Sequence, residues 1–174
     1  MKIDLKDFYL YPLNAEELSL WINNLPQLER QLNCTYCLEK IDELLKNTIQ
    51  SQLILGLSDS PQNWKWYTCW FIINISENKI IGILSFKGRP NYNGEINIGY
   101  ALSEKFRKKG YMTRTVMAIC SWLKQFNEVK SIIAETKIDN YSSQDLLKRC
   151  GFNQFKTYSN YIIYRKAIRA SINS

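Results

Sequence analysis

The hydrophobic pattern changes period along the chain. Phe8-Tyr9-Leu10-Tyr11 is a short apolar run ended by Pro12, as expected of a strand closed by a residue that cannot extend a ladder. Asn14 stands where a helix N-cap belongs, with Glu16 and Glu17 in the first turn, and Leu18, Trp21, Ile22 and Leu25 follow at helical spacing. A second helical pattern covers residues 38–55. Residues 58–63, Ser-Asp-Ser-Pro-Gln-Asn, are rich in turn formers and read as an exposed loop.

From Trp64 the texture changes to that of strands. Residues 66–75 are aromatic and β-branched, Glu77-Asn78 reads as a turn, and residues 79–86 form the next predicted strand. After a loop over residues 88–94, residues 95–102 alternate, with Ile96, Ile98 and Tyr100 on one face and Glu95, Asn97 and Gly99 on the other. Gly110 opens a predicted helix to Phe126, with Met112, Val116, Ile119, Cys120 and Leu123 as its apolar stripe. Residues 131–138 read as a strand. Ser142 is expected to start a short helix, with Asp145 completing a capping box and Gly151 as C-cap. Residues 155–166 read as a strand pair joined near Ser159-Asn160. The order predicts an α/β fold, a mixed sheet with helices on its faces, in one domain over residues 1–174 with its core over 8–168.

Composition narrows the chemistry. At 45% hydrophobic and 22% charged, the chain is ordinary globular material of one-domain length. Its longest apolar runs are too short to span a bilayer, and Met1-Lys2-Ile3-Asp4 does not resemble a leader, so a cytoplasmic location without membrane contact is expected. Five scattered cysteines do not suggest a disulfide framework. Cys34 and Cys37 form a lone CxxC in a chain without histidine, so no metal site is expected. The missing histidine also removes His-based catalysis. A general base has to be a carboxylate, tyrosine, cysteine, lysine or held water.

Charge is unevenly spread. Residues 1–60 hold 5 Lys/Arg against 9 Asp/Glu, whereas residues 61–174 hold 18 against 7. A basic remainder suits an anionic ligand. The cations gather where the strand at 95–102 leads through Ser103-Glu104-Lys105-Phe106 into Arg107-Lys108-Lys109-Gly110 and a helix. A helix N-terminus offers unpaired N–H groups, and a glycine lets backbone approach phosphate. A solvated basic turn before an ordinary helix is the competing reading.

Arg107-x-x-Gly110-x-Met112 resembles the Q/R-x-x-G-x-G/A signature of the GNAT superfamily of N-acetyltransferases. Ile98-Gly99-Tyr100, Gly110-Tyr111-Met112-Thr113, Ala134-Glu135-Thr136, Asn140-x-x-Ser143 and Lys148-x-x-Gly151-Phe152 follow in order and resemble the RimJ/RimL-like branch of that superfamily. The resemblance implies the GNAT fold, a mixed, largely antiparallel sheet splayed at its centre with helices on both faces. It implies acetyl-CoA as co-substrate and direct transfer to a primary amine: a protein N-terminus, a polyamine or a small-molecule amine. Backbone groups of Tyr100, Ala101 and Leu102 would pair with the pantetheine arm. Arg107 and the N–H groups of Lys108, Lys109, Gly110, Tyr111 and Met112 would hold the pyrophosphate. Asn140, Ser143 and Lys148 would lie along the cofactor.

The chain also departs from the family pattern. Asn97 replaces a glutamate common before IGY, Leu147 replaces a tyrosine that many GNAT enzymes use to protonate the thiolate, and Arg114 replaces the glutamate of GYATEA. Glu135 and Glu95 are the candidate bases and Ser143 the candidate donor to the leaving thiolate. Set against these roles, Glu135 can be a strand carboxylate paired with Lys137, Glu95 a solvated strand-start residue, and Ser143 a backbone partner in its helix. Tyr92, Trp64, Trp66, Tyr158 and Tyr161 are candidates for an acceptor groove or for packing, and Cys150 for core. The expected partner is a small-molecule or peptide amine, with a homodimer allowed and no nucleic acid. The alternatives are a CoA-binding module with impaired catalysis and, last, a nucleic-acid-binding domain, which the gathering of cations at one turn disfavours.

Overall fold

A computed structural model describes residues 1–168; the last six residues of the expected domain lie outside the described residues. The chain divides into two compact units. The first comprises Met1–Arg89 and Tyr100–Lys109, the second Pro90–Gly99 and the chain from Gly110 onward.

In the first unit, β1 (Ile3–Asp4), β2 (Phe8–Pro12), β4 (Cys69–Asn74) and β5 (Lys79–Phe86) pair antiparallel in that order. The strand predicted over 66–75 is shorter because Trp66 belongs to a 3-10 turn, Pro61–Trp66. Every residue of β4 is buried, as expected of a strand covered on both faces. Helix α1 (Ala15–Asn23) starts at the expected cap. Asn14 Oδ1 accepts from the Glu17 amide, and a Glu17 carboxylate oxygen accepts from the Asn14 amide, both at 2.8 Å. The other Glu17 oxygen accepts from the Tyr11 hydroxyl at 2.7 Å. Burial, with this bond second, pushes Tyr11 up to about 12.

Leu25 does not continue α1. It begins α2 (Leu25–Leu32), capped by Asn24 and carrying Pro26 in its first turn. The helix expected over 38–55 is α3 (Glu43–Ser58), preceded by the short strand β3 (Thr35–Tyr36), which pairs parallel with the start of β5. Leu18, Trp21, Leu28, Ile49, Phe71 and Ile73 meet in one core, where Trp21 packs edge-on against Phe71 with centroids 5.1 Å apart. The expected 58–63 loop contains the last residue of α3 and the first part of the 3-10 turn. Its Asp59 gathers Asn63, Tyr67 and the Ser60 amide around one carboxylate.

In the second unit, residues 95–98 of β6 (Glu95–Leu102) pair parallel with β7 (Ser131–Lys137). β7 pairs antiparallel with β9 (Tyr161–Ala167), and β9 with β8 (Asn153–Thr157). Ile96, Ile98, Ile132, Ala134, Ile162 and Tyr164 are buried, as are Val116, Ile119, Cys120 and Leu123 of α4 (Tyr111–Leu123) and Leu147 of α5 (Tyr141–Arg149). Helix α4 stops three residues before the expected Phe126, in a turn where Phe126 packs edge-on against Trp122. Helix α5 starts one residue before Ser142, because Asn140 is the cap. Its side chain accepts from the Ser143 amide at 3.1 Å. At the other end Gly151, φ 79°, closes α5 as expected. Both units together give a mixed, mostly antiparallel α/β architecture, with β3–β5 and β6–β7 the parallel pairs.

Candidate functional site

In the first unit, the end of β6 is positioned by β5. The Ser103 amide donates to Ile81 O at 2.8 Å. Gly82 lies so close beneath that a Cβ there would sit 2.9 Å from Ala101 O and 2.8 Å from the Leu102 side chain. Glycine at 82 is therefore what lets the strand end lie where it does. A cavity of about 440 Å³ opens beside it. Tyr36, Leu38, Leu45 and Ile83 give it apolar walls, and Glu39, Lys40, Asp42 and Lys105 bring charge of both signs. Ala101, Leu102 and Arg107, picked out from the sequence, line this cavity. The Tyr36 and Cys37 walls were not foreseen as such. The sequence singles out Cys37 only as half of a lone Cys34–Cys37 pair, which carries no sign of a cavity wall.

The basic turn is ordered by its own contacts. Arg107 Nε donates to Leu102 O at 3.3 Å, and its guanidinium pairs with Glu104 at 3.2 Å. Lys109 lies over the Phe106 ring, 5.3 Å from its centroid. Lys108 holds a left-handed φ of 61°, unusual outside glycine.

In the second unit, Gly110, with φ 79°, is the N-cap of α4, and no side chain caps that helix. The first intrahelical bond runs from the Arg114 amide to Gly110 O, so the N–H groups of residues 111–113 precede the ladder. A Cβ on Gly110 would meet nothing within 4 Å, so the approach to these groups is open. Met112 itself is buried and offers only its backbone.

The β6–β7 ladder ends at the Ile98–Ala134 pair, and Glu135, Thr136 and Lys137 pair with β9 alone. The Glu135 side chain is exposed and makes no hydrogen bond or ion pair among the described residues, Lys137 included. Glu95 is held. One oxygen pairs with Arg165 at 3.2 Å and the other accepts from Asn91 at 3.1 Å. Asn97 Oδ1 is buried and unpartnered among the described residues. Ser143 is half-buried on the first turn of α5, and Lys148 is exposed on its last. Leu147 is fully buried, so the position of the absent tyrosine is core.

The aromatic candidates separate by environment. Trp66 is buried edge-on against Phe86, and Trp64 donates to Leu13 O at 2.9 Å. Tyr92 is 95% exposed, and Tyr158 stacks on Tyr161 at 4.6 Å. Burial raises the pKa of all five thiols, Cys120 to about 11. Among the described residues no cluster of three or more Cys, Asp or Glu could hold a metal ion, and no helix is long and apolar enough to cross a membrane.

Known proteins resemble the chain in sequence and in fold. The chain is 33% identical over 88 residues to the uncharacterized N-acetyltransferase YjdG of Bacillus subtilis (strain 168), a match covering 51% of this chain and 52% of the relative. It is 25% identical over 125 residues to a ribosomal-protein-serine acetyltransferase of Escherichia coli (strain K12), covering 72% and 65%. The chain thus spans from about half to about two thirds of the length of these relatives. A ribosomal L7/L12 α-N-protein acetyltransferase solved with coenzyme A superposes with a TM-score of 0.68 over 96% of this chain and 98% of that one. At 17% identity, that likeness is one of fold. Residues 7–153 match the acetyltransferase (GNAT) domain family, and the chain belongs to it.

Proposed function

We propose that this protein is an acetyl-CoA-dependent N-acetyltransferase that moves an acetyl group directly to a primary amine in a ternary complex. The family match over residues 7–153 carries the reading. Two local features fit the cofactor. The uncapped start of α4 behind Gly110, preceded by Lys105, Lys108 and Lys109, suits a pyrophosphate. The end of β6, held in place by Gly82, suits an extended amide-bearing arm.

Bound acetyl-CoA would supply an activated acetyl group. The chain's own residues would do the rest. Tyr100, Ala101 and Leu102 would pair with the pantetheine arm and donate an N–H to the developing oxyanion. Arg107 and the N–H groups of residues 108–112 would anchor the phosphates. Glu135, a carboxylate without a partner among the described residues, is the preferred base for the amine proton, directly or through water. Glu95 is the weaker candidate because both of its oxygens are engaged. Ser143 is the proposed donor to the thiolate, with Asn140 and Lys148 beside the cofactor. Raised thiol pKa values disfavour an acyl-cysteine intermediate and support direct transfer.

The acceptor is a protein N-terminus, a polyamine or a small-molecule amine, and the ribosomal-protein-serine acetyltransferase relative supports the first. Incubating the protein with acetyl-CoA and a panel of peptides, polyamines and small amines tests the reading. Amine-dependent thiol release is expected. CoA binding without turnover on any amine would favour the impaired CoA-binding module.

A further inference from the structure

We propose that α3 is the contact surface of a two-fold pair formed by two copies of this chain. The inner side of the helix is fixed. Ile49 is buried, and Gly56 lies under Trp64 so tightly that a Cβ would come within 2.6 Å of the ring. The helix therefore cannot roll its outer side chains inward. Those outer side chains include Leu44, Ile54, Leu55 and Leu57, exposed by 77%, 65%, 51% and 67%.

No charged residue occurs from Asn47 through Ser58. The hydroxyls of this stretch turn back on their own helix: Thr48 to Leu44 O at 2.9 Å, Ser51 to Asn47 O at 2.9 Å and Ser58 to Ile54 O at 2.7 Å. Each donates its proton inside the helix, so these hydroxyls meet the solvent as acceptors only. Apolar patches of this kind mark interaction sites.

The spacing selects the occupant. Leu44, Thr48, Ser51 and Leu55 step by four, three and four residues, the alternation of a coiled-coil seam. The seam has the same character from either end. A two-fold axis between Ile49 and Gln50 sets Leu44 against Leu55 of the second copy and Thr48 against Ser51 of the second copy. That reciprocity is what an isologous interface requires. The small middle layers let the helix axes approach, and the leucines close both ends. An uncharged strip does not repel its own copy. A lipid surface would call for lysines and arginines on the polar flank, which residues 47–58 lack. One helix pair buries less than the roughly 800 Å² per partner of a standard interface, so the pair forms at high protein concentration.

Sedimentation velocity of the full chain, from low micromolar to submillimolar concentration, tests this. A concentration-dependent monomer–dimer equilibrium is expected, with Leu44→Glu and Leu55→Glu each monomeric at unchanged helicity and melting temperature. A chain carrying Thr48→Cys and Ser51→Cys is expected to give a covalent dimer under mild oxidation, above the background of the parent chain's own thiols. A monomer throughout the range, or a dimer that persists with both glutamates present, overturns the proposal. So does a monomer that sediments with phosphatidylcholine vesicles through the same leucines, which would assign the face to lipid.

Discussion

Arg165 on β9 reaches across β7 to pair with Glu95 on β6, at 3.2 Å. On the way its Nε donates to Ser131 Oγ of β7 at 3.2 Å, and its guanidinium lies 5.2 Å from the centroid of the Phe155 ring. One side chain thus ties three strands of the second unit together. The pair is partly exposed, between the surface case, where losing one partner costs little, and the buried case, where it leaves an uncompensated charge at a cost of several kcal/mol. Arg165→Ala is expected to lower stability by about 1–2 kcal/mol in urea denaturation. Full stability in that variant would show the bridge to be incidental.

That engagement shifts the catalytic expectation to Glu135. Glu135→Gln is expected to cut kcat by roughly 10²–10⁴-fold while leaving the melting temperature and CoA affinity in place. Glu95→Gln is expected to lose stability first and activity only modestly. The opposite ranking of the two variants in kcat would return the base to Glu95.

Gly82→Ala probes the strand end. The new methyl meets Ala101 O at 2.9 Å, a backbone atom that must move. Weaker CoA binding and lower turnover are expected, at a stability cost of about 1–3 kcal/mol. Wild-type affinity measured by calorimetry would remove the strand end from the cofactor site.

Asn140 has two assignments that a single substitution separates. As cap of α5 it contributes about 1 kcal/mol, and Asn140→Ala is expected to lower the melting temperature accordingly. Asn140→Ser keeps a capping oxygen and is expected to restore the melting temperature. If CoA affinity stays depressed in Asn140→Ser, the side chain also touches the cofactor.

Asp59 sets an acid limit on the first unit. Hydrogen bonds from Asn63 first, then from Tyr67 and the Ser60 amide, with Arg89 nearby, hold its carboxyl down to about 2. A folded-state pKa below the unfolded one contributes stability above the unfolded value and loses it as pH falls through the folded one. The contribution is thus complete above about pH 4 and vanishes toward about pH 2. Asp59→Asn is expected to melt lower at neutral pH and to lose less on acidification over that window. Parallel melting curves for the two proteins would contradict the assignment.

β6 and the α4 stripe are legible in the sequence because one face of each is buried, and burial writes the period into the residues. β5 is buried along nearly its whole length and is legible instead from its β-branched run between turn formers; both strands appear at their predicted bounds. Residues 24–42 were opaque for the opposite reason. Asn24 ends one helix and caps the next without a break in apolar spacing, and β3 is only two residues long. Ser142-x-x-Asp145 imitates a capping box just inside a helix that Asn140 already caps, which is why the sequence pattern points to the wrong cap for α5. The proposed donor side rests on the contiguous motif Arg107–Met112, which is visible in the sequence itself. The cavity walls at Tyr36 and Ile83 depend on β3 and β5 pairing, which no local pattern announces.

The most direct test of the central claim is acetyl transfer itself. Purified protein, acetyl-CoA and an amine panel would be followed by thiol release and by mass spectrometry of the acceptor. Amine-dependent release matched by an acetylated product is expected, abolished or strongly reduced by Glu135→Gln. CoA binding with no acetylated product from any amine would contradict it.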